Sequence, residues 1–190
     1  RRHLAVKNLK KEGSFVFFSL SLALSGCGGG GDDYIIPPFW SDGGIAVADL
    51  NGDGLSDVVL AKTYISGPPP HPGSVDVILQ NTNHTFAAPT NYPVGSDPWR
   101  LAIGDVNGDG KLDIAVANSK SGNISILLQH SSLNGAFLAA TNVATGGTPY
   151  GVAIGDINVD GYADLAVSLN MTGGGVMVLL QSTSSPLTFL

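Results

Sequence analysis

Asp105-Val106-Asn107-Gly108-Asp109-Gly110-Lys111-Leu112-Asp113, running straight into Ile114-Ala115-Val116-Ala117, is an acidic turn followed by an unbroken apolar run. Counting Asp105 as position 1, side-chain oxygens stand at positions 1, 3, 5 and 9, on Asp105, Asn107, Asp109 and Asp113. Alternate residues of a tight loop turn their side chains to one side, and Gly110 at position 6 permits a bend that a Cβ would resist. Position 7, Lys111, can add its backbone carbonyl. The apolar run behind the turn is continuous rather than alternating, which predicts a strand covered on both faces.

The same pattern recurs on either side. Upstream it is carried by Asp49, Asn51, Asp53, Leu55 and Asp57, and downstream by Asp156, Asn158, Asp160, Tyr162 and Asp164. The first Asp of each copy is 56 and then 51 residues from the next, and the longer first spacing is explained by a Pro- and Gly-rich insertion around Ser66 to Gly73. Agreement continues downstream, where Gly73-Ser74-Val75-Asp76-Val77-Ile78-Leu79-Gln80 matches Gly122 to Gln129 and Gly174 to Gln181. A fourth element is expected at Thr85-Phe86-Ala87-Ala88 and at Ala136-Phe137-Leu138-Ala139. Low Glu and Lys with 26 Gly and 11 Pro disfavour long helices. Together these features predict an all-β chain of four-stranded β-propeller blades, about three of them. A stacked solenoid would also cover both faces of each unit, though its repeats are usually shorter.

Closure normally needs four or more blades, so the chain is expected to be a fragment of a larger propeller, with closure by oligomerisation as the alternative. The expected organisation is a leader over 1–27, a tether and lead-in over 28–40, and blades over 41–92, 93–144 and 145–190.

The three loops present an all-oxygen donor set with neither His nor Cys, which suits Ca2+ and disfavours zinc. Magnesium demands a stricter octahedron and keeps its waters. Two carboxylates ~4 Å apart repel by roughly 4 kcal/mol at an effective dielectric of about 20, so three acids in one loop call for a cation. Nine of the 14 Asp residues fall in these loops. Bare Asn-Gly and Asp-Gly turns would account for one such loop, but not for three in register. An EF-hand or dockerin loop needs an acid at position 12, whereas Leu60, Val116 and Val167 stand there. Position 4 is Val159 in the third copy and Gly52 or Gly108 in the others, which is expected to weaken that site without removing a ligand.

The run Ala102-Ile103-Gly104-Asp105-Val106-Asn107-Gly108-Asp109-Gly110 resembles the FG-GAP/VCBS repeats of integrin α-subunit heads and bacterial surface proteins. The resemblance covers roughly residues 40 to 190 and implies a propeller with calcium held between the first two strands of each blade. It does not imply one function, since one fold hosts many.

Five of the nine basic residues lie within residues 1 to 11, and Phe15 to Leu24 form an apolar run too short to span a bilayer as a helix but suited to an export signal. Leu24-Ser25-Gly26-Cys27 resembles the lipobox of bacterial lipoproteins, which implies acylation of Cys27 and a membrane tether in the periplasm or at the cell surface. With a single Cys no internal disulfide is possible. From residue 27 onward four basic and 14 acidic side chains remain, a formal charge of −10 that argues against nucleic acid as a partner.

Trp99 and Tyr150 follow matching prolines just before the inner strands, where they are candidate contacts for a sugar or peptide. His71, His84 and His130 have no metal-binding spacing, and no nucleophile or paired-acid motif points to catalysis. The expectation is a non-catalytic, calcium-binding surface scaffold for an extracellular protein or glycan. The alternatives are a lectin-like propeller and the propeller part of an enzyme such as a polysaccharide lyase.

Overall fold

A computed structural model describes residues 40–64, 72–170, 174–183 and 187–189. The expected leader, Cys27 and most of the Pro-rich insertion lie outside these residues. The chain is all-β, with no helix among the described residues.

Among the described residues, eleven strands form three antiparallel sheets. The first is β1 (Trp40–Ala48), β2 (Asp57–Tyr64), β3 (Gly73–Ile78) and β4 (Thr90–Val94), hydrogen-bonded in chain order. The second repeats it with β5 (Pro98–Gly104), β6 (Asp113–Asn118), β7 (Asn123–Leu127) and β8 (Thr141–Ala144). The third has β9 (Thr148–Gly155), β10 (Asp164–Asn170) and β11 (Gly175–Leu179). Each is a propeller-type blade, and the three do not close into a ring.

The apolar runs are strands because they are covered from both sides. Every residue of β6 is buried. Ile114 and Val116 join Val59, Ala61, Val75 and Val77 in a core between the first two sheets. Ala115 and Ala117, on the opposite face, join Ile124, Ile126, Leu165 and Val167 in a core between the second and third. This is the physical cause of the unbroken hydrophobicity that the sequence displays.

The inner strands lie side by side, with β5 between β1 and β9. The first two approach tightly at Gly43 and Gly44. A Cβ on Gly43 would fall 2.5 Å from the Pro98 carbonyl oxygen, and one on Gly44 would fall 2.9 Å from the Arg100 Cα. Only glycine fits there.

One element differs from expectation. The Phe runs are not fourth strands. Phe86, Phe137 and Phe189 each make a single bridge, to Gln80, Gln129 and Gln181. The fourth strands are β4 and β8, which begin at Thr90 and Thr141. Phe137 is instead a core residue, in edge-to-face contact with Tyr92 at 5.6 Å.

Candidate metal centre

Each acidic loop joins the first strand of a sheet to the second, so the strands set its two ends. Within the loop the side chains fold the backbone around themselves. Asp105 Oδ1 accepts from the amides of Gly108 at 2.7 Å and Asp109 at 3.1 Å, and its Oδ2 accepts from Gly110 at 2.8 Å. Asn107 Oδ1 accepts from Asp109 N, and Asp109 Oδ1 accepts from Lys111 N, both at 2.9 Å. The first loop repeats all five bonds through Asp49, Asn51 and Asp53. Glycines at positions 4 and 6 adopt positive φ, as at Gly108 (76°) and Gly110 (82°).

The third loop departs at one residue. Val159 holds φ at 62°, a region that a β-branched side chain rarely enters. Asp156 still accepts from Asp160 and Gly161, but the position-4 bond made by Gly52 and Gly108 has no counterpart at Val159 among the described residues.

Position 9 is the anchor. Asp57, Asp113 and Asp164 are fully buried. Asp113 Oδ2 accepts from Val106 N at 3.0 Å and its Oδ1 from Gln129 N at 2.8 Å, so one carboxylate ties the loop to the third strand. Asp57 and Asp164 do the same with Leu50 and Gln80, and with Ile157 and Gln181. Burial pushes the Asp113 carboxyl above its ordinary value and the charge of Asp109 adds to this, while the amides of Gln129, Val106 and Asn107 oppose it. Lys111 brings no relief inside the loop, because its ammonium donates to the carbonyls of His130 and Ser131 and to Asn134 Oδ1.

The donor chemistry fits a hard divalent cation: three carboxylates, one amide oxygen and a backbone carbonyl, with no nitrogen or sulfur ligand. Each position-9 oxygen accepts one N–H and keeps a second lone pair. Convergence is incomplete, since no three His, Cys, Asp or Glu of the described residues gather around one point. Asn107 Nδ2 also donates to Asp109 Oδ2 at 3.0 Å.

Two parts of the site escaped the sequence reading. One is the glutamine ending each third-strand run. Gln129 Nε2 donates to the carbonyl of Leu50 at 2.6 Å and to that of Leu112 at 3.2 Å. It thereby staples position 2 of the preceding loop to position 8 of its own. Gln181 repeats this on Val106 and Ala163, at 3.0 and 3.1 Å. The other is position 2 itself, apolar in all three copies, as Leu50, Val106 and Ile157. The signal for both was their recurrence in register.

The aromatic candidates meet. Trp99 and Tyr150 rings lie 5.0 Å apart with a 38° tilt, and Trp99 is half exposed. They stand at the start of β5 and β9, whereas the acidic loops follow the ends of those strands, about 20 Å away at ~3.3 Å per residue. The first sheet has Gly43 at the matching place, so the pair does not extend to it.

This arrangement of recurring blades and loops agrees with the comparisons. The FG-GAP-like repeat family matches residues 49–116 and 105–167 in overlapping windows. The chain belongs to the FG-GAP-like repeat family. It is 28% identical to integrin alpha-7 of Mus musculus over 136 residues, which covers 65% of this chain and 12% of the integrin. It is 33% identical to integrin alpha-6 of Homo sapiens over 133 residues, with the same two coverages. The chain thus spans a small part of the curated relatives it matches. No solved structure matches it significantly.

Proposed function

We propose that this chain is part of an exported, non-catalytic adhesion scaffold whose blades are stiffened by Ca2+ in the three acidic loops. The observation that carries the reading is the threefold recurrence of one oxygen-donor loop, each copy anchored by a buried position-9 carboxylate that two backbone amides hold. Family membership and the likeness to two integrin alpha chains favour binding over catalysis. In each loop the acids of positions 1, 5 and 9 would hold the ion, with the position-3 amide oxygen and the position-7 carbonyl. Bound there, a divalent ion lowers three negative charges to a net −1 and relieves the repulsion around the buried carboxylate.

At a dissociation constant of ~0.1 mM, the tight end of the extracellular range, ~1 mM calcium adds roughly 1.4 kcal/mol per site. Thermal melting with EDTA, with calcium and with magnesium at equal ionic strength tests this. The expected result is a rise in melting temperature specific to calcium, reduced by one site's share in Asp109→Ala. A melt indifferent to calcium, or equally responsive to magnesium, would falsify the cage.

The lipobox-like run supports a tether at Cys27. Labelled palmitate should enter the protein in a bacterial host and be lost in Cys27→Ala; equal labelling of the variant overturns the anchor. A second reading, glycan stacking, is favoured by the contact between Trp99 and Tyr150. Glycan-array binding should fall in the Trp99→Ala, Tyr150→Ala double variant while the fold persists, and unchanged binding returns both rings to a packing role.

A further inference from the structure

Asn51, Asn107 and Asn134 are each followed by glycine. The amide nitrogen after an asparagine can close a five-membered ring on the side-chain Cγ, and glycine is the residue that shields it least.

The first two are held against this. Gly52 N and Gly108 N donate to the position-1 carboxylates, to Asp49 Oδ1 at 2.8 Å and Asp105 Oδ1 at 2.7 Å. A carboxylate at that distance opposes the negative charge that the attacking nitrogen takes on. Asn107 is also fixed at both ends, accepting from Asp109 N and donating to Asp109 Oδ2, and Asn51 is held alike by Asp53. The other oxygen of each position-1 carboxylate accepts from Gly54, Gly110 or Gly161, so the Asp-Gly pairs at positions 5 and 6 are guarded as well. In the third loop Val159 sets a branched side chain beside the amide that follows Asn158.

Asn134 stands in the opposite surroundings. It lies exposed in the connection between β7 and β8. The Gly135 amide makes no hydrogen bond among the described residues. The Lys111 ammonium, steadied by the carbonyls of His130 and Ser131, donates to Asn134 Oδ1 at 3.2 Å. That contact polarises the side-chain carbonyl and stabilises the charge that collects on its oxygen when Cγ is attacked. Glycine is fixed at this place by the fold. Its φ is 74°, and a Cβ on Gly135 would lie 3.0 Å from Leu79 Cδ1 and 3.3 Å from Asn51 Cβ.

We propose that Asn134 is a site of spontaneous deamidation in the folded protein, assisted by Lys111. Gly135 N bonds to Asn134 Cγ and gives up its proton, the Cγ–Nδ2 bond breaks, and ammonia leaves. Water then opens the cyclic imide at either carbonyl. Opening at Cγ leaves aspartate, whose carboxylate pairs with Lys111. Opening at the backbone carbonyl leaves isoaspartate, which adds a methylene to the main chain. The lengthened chain displaces Gly135 from Leu79 and Asn51, so this second product loosens the seam between the first two sheets.

Incubation of the 190-residue chain in calcium buffer at neutral pH, followed over weeks by peptide mapping with tandem mass spectrometry, tests this. Relative to the same asparagines in the urea-unfolded chain, Asn134 should convert about tenfold or more faster than Asn51 or Asn107. Lys111→Met should slow Asn134 roughly tenfold, and Lys111→Arg, which keeps a cationic donor, should leave it fast. Where Lys111→Met loses its fold, shown by circular dichroism, the ranking in the parent chain decides alone. Three outcomes overturn the proposal: conversion of Asn51 or Asn107 at the rate of Asn134, no conversion at Asn134 in the folded chain, or a folded Lys111→Met variant in which Asn134 converts as fast as before or faster.

Discussion

The loop at 105–113 and the loop at 156–164 share the same residue types at positions 1, 3, 5, 6 and 9, yet they stand in different surroundings. Val106 at position 2 of the former is wholly buried and its carbonyl accepts from Gln181 at 3.0 Å. Ile157 at position 2 of the latter is 46% exposed. The aliphatic side chains are comparable; what differs is that, among the described residues, a further sheet packs on Val106 and none on Ile157. Burial here belongs to the stack and not to the residue. The energetic unit is therefore a loop together with the sheet after it, as expected of nearest-neighbour repeat architectures. Phenylalanine teaches the same lesson, since Phe137 is buried between two sheets while Phe86, beside the first of the described sheets, is half exposed.

The largest test of this view uses the glutamines. Gln129→Ala removes a buried amide and leaves the carbonyls of Leu50 and Leu112 without their donor. The expected loss is about 3 kcal/mol, combining unpaired buried acceptors with lost packing. Gln80→Ala, at the same place in its repeat, should cost under about 0.5 kcal/mol, because its side chain makes no hydrogen bond among the described residues and its backbone amide still caps Asp57. Urea denaturation of both variants checks the contrast. Equal losses would mean that the glutamine acts within its own sheet and that the stapling bonds contribute little.

Much of this could be seen in the sequence, and the rest has a physical reason for being hidden. Three Asp-rich turns in register, each followed by an apolar run, were enough for the blades and for placing the acidic loops between their first two strands. An unbroken run such as Ile114 to Ala117 arises only when both faces are covered. The Phe runs misled because a short apolar run such as Ala136 to Ala139 looks like a strand, while Phe137 is buried beside Tyr92 in the core between two sheets. The role of Gln129 stayed hidden because its partner Leu50 is 79 residues away, and contact depends on how the sheets stack. Position 9 was expected to be a metal ligand; its part as the acceptor that joins a loop to the third strand through Gln129 N was not legible. Val159 was legible as a change at a position without a ligand; its strained backbone was not.

That strain permits the finest comparison of the two loops. A non-glycine residue in the left-handed region costs on the order of 1–3 kcal/mol, and β-branching adds crowding. Val159→Gly removes this cost and frees the position-4 amide to approach Asp156, as Gly108 N approaches Asp105 at 2.7 Å. Against the gain stands the greater flexibility of glycine in the unfolded chain, roughly 0.5–1 kcal/mol. The net expectation is a stabilisation of about 0.5–1 kcal/mol, small because Val159 is exposed and gives up no packing. Gly108→Val runs the same exchange in reverse and should destabilise by about 1–2 kcal/mol, somewhat more because it also disrupts a bond already formed. Urea midpoints of the two single variants and of the double exchange read both effects. Opposite signs would establish that position 4 is tuned by backbone conformation. Two losses would instead mean that Val159 has a contact which outweighs its strain, and that the third loop is not a weakened copy of the second.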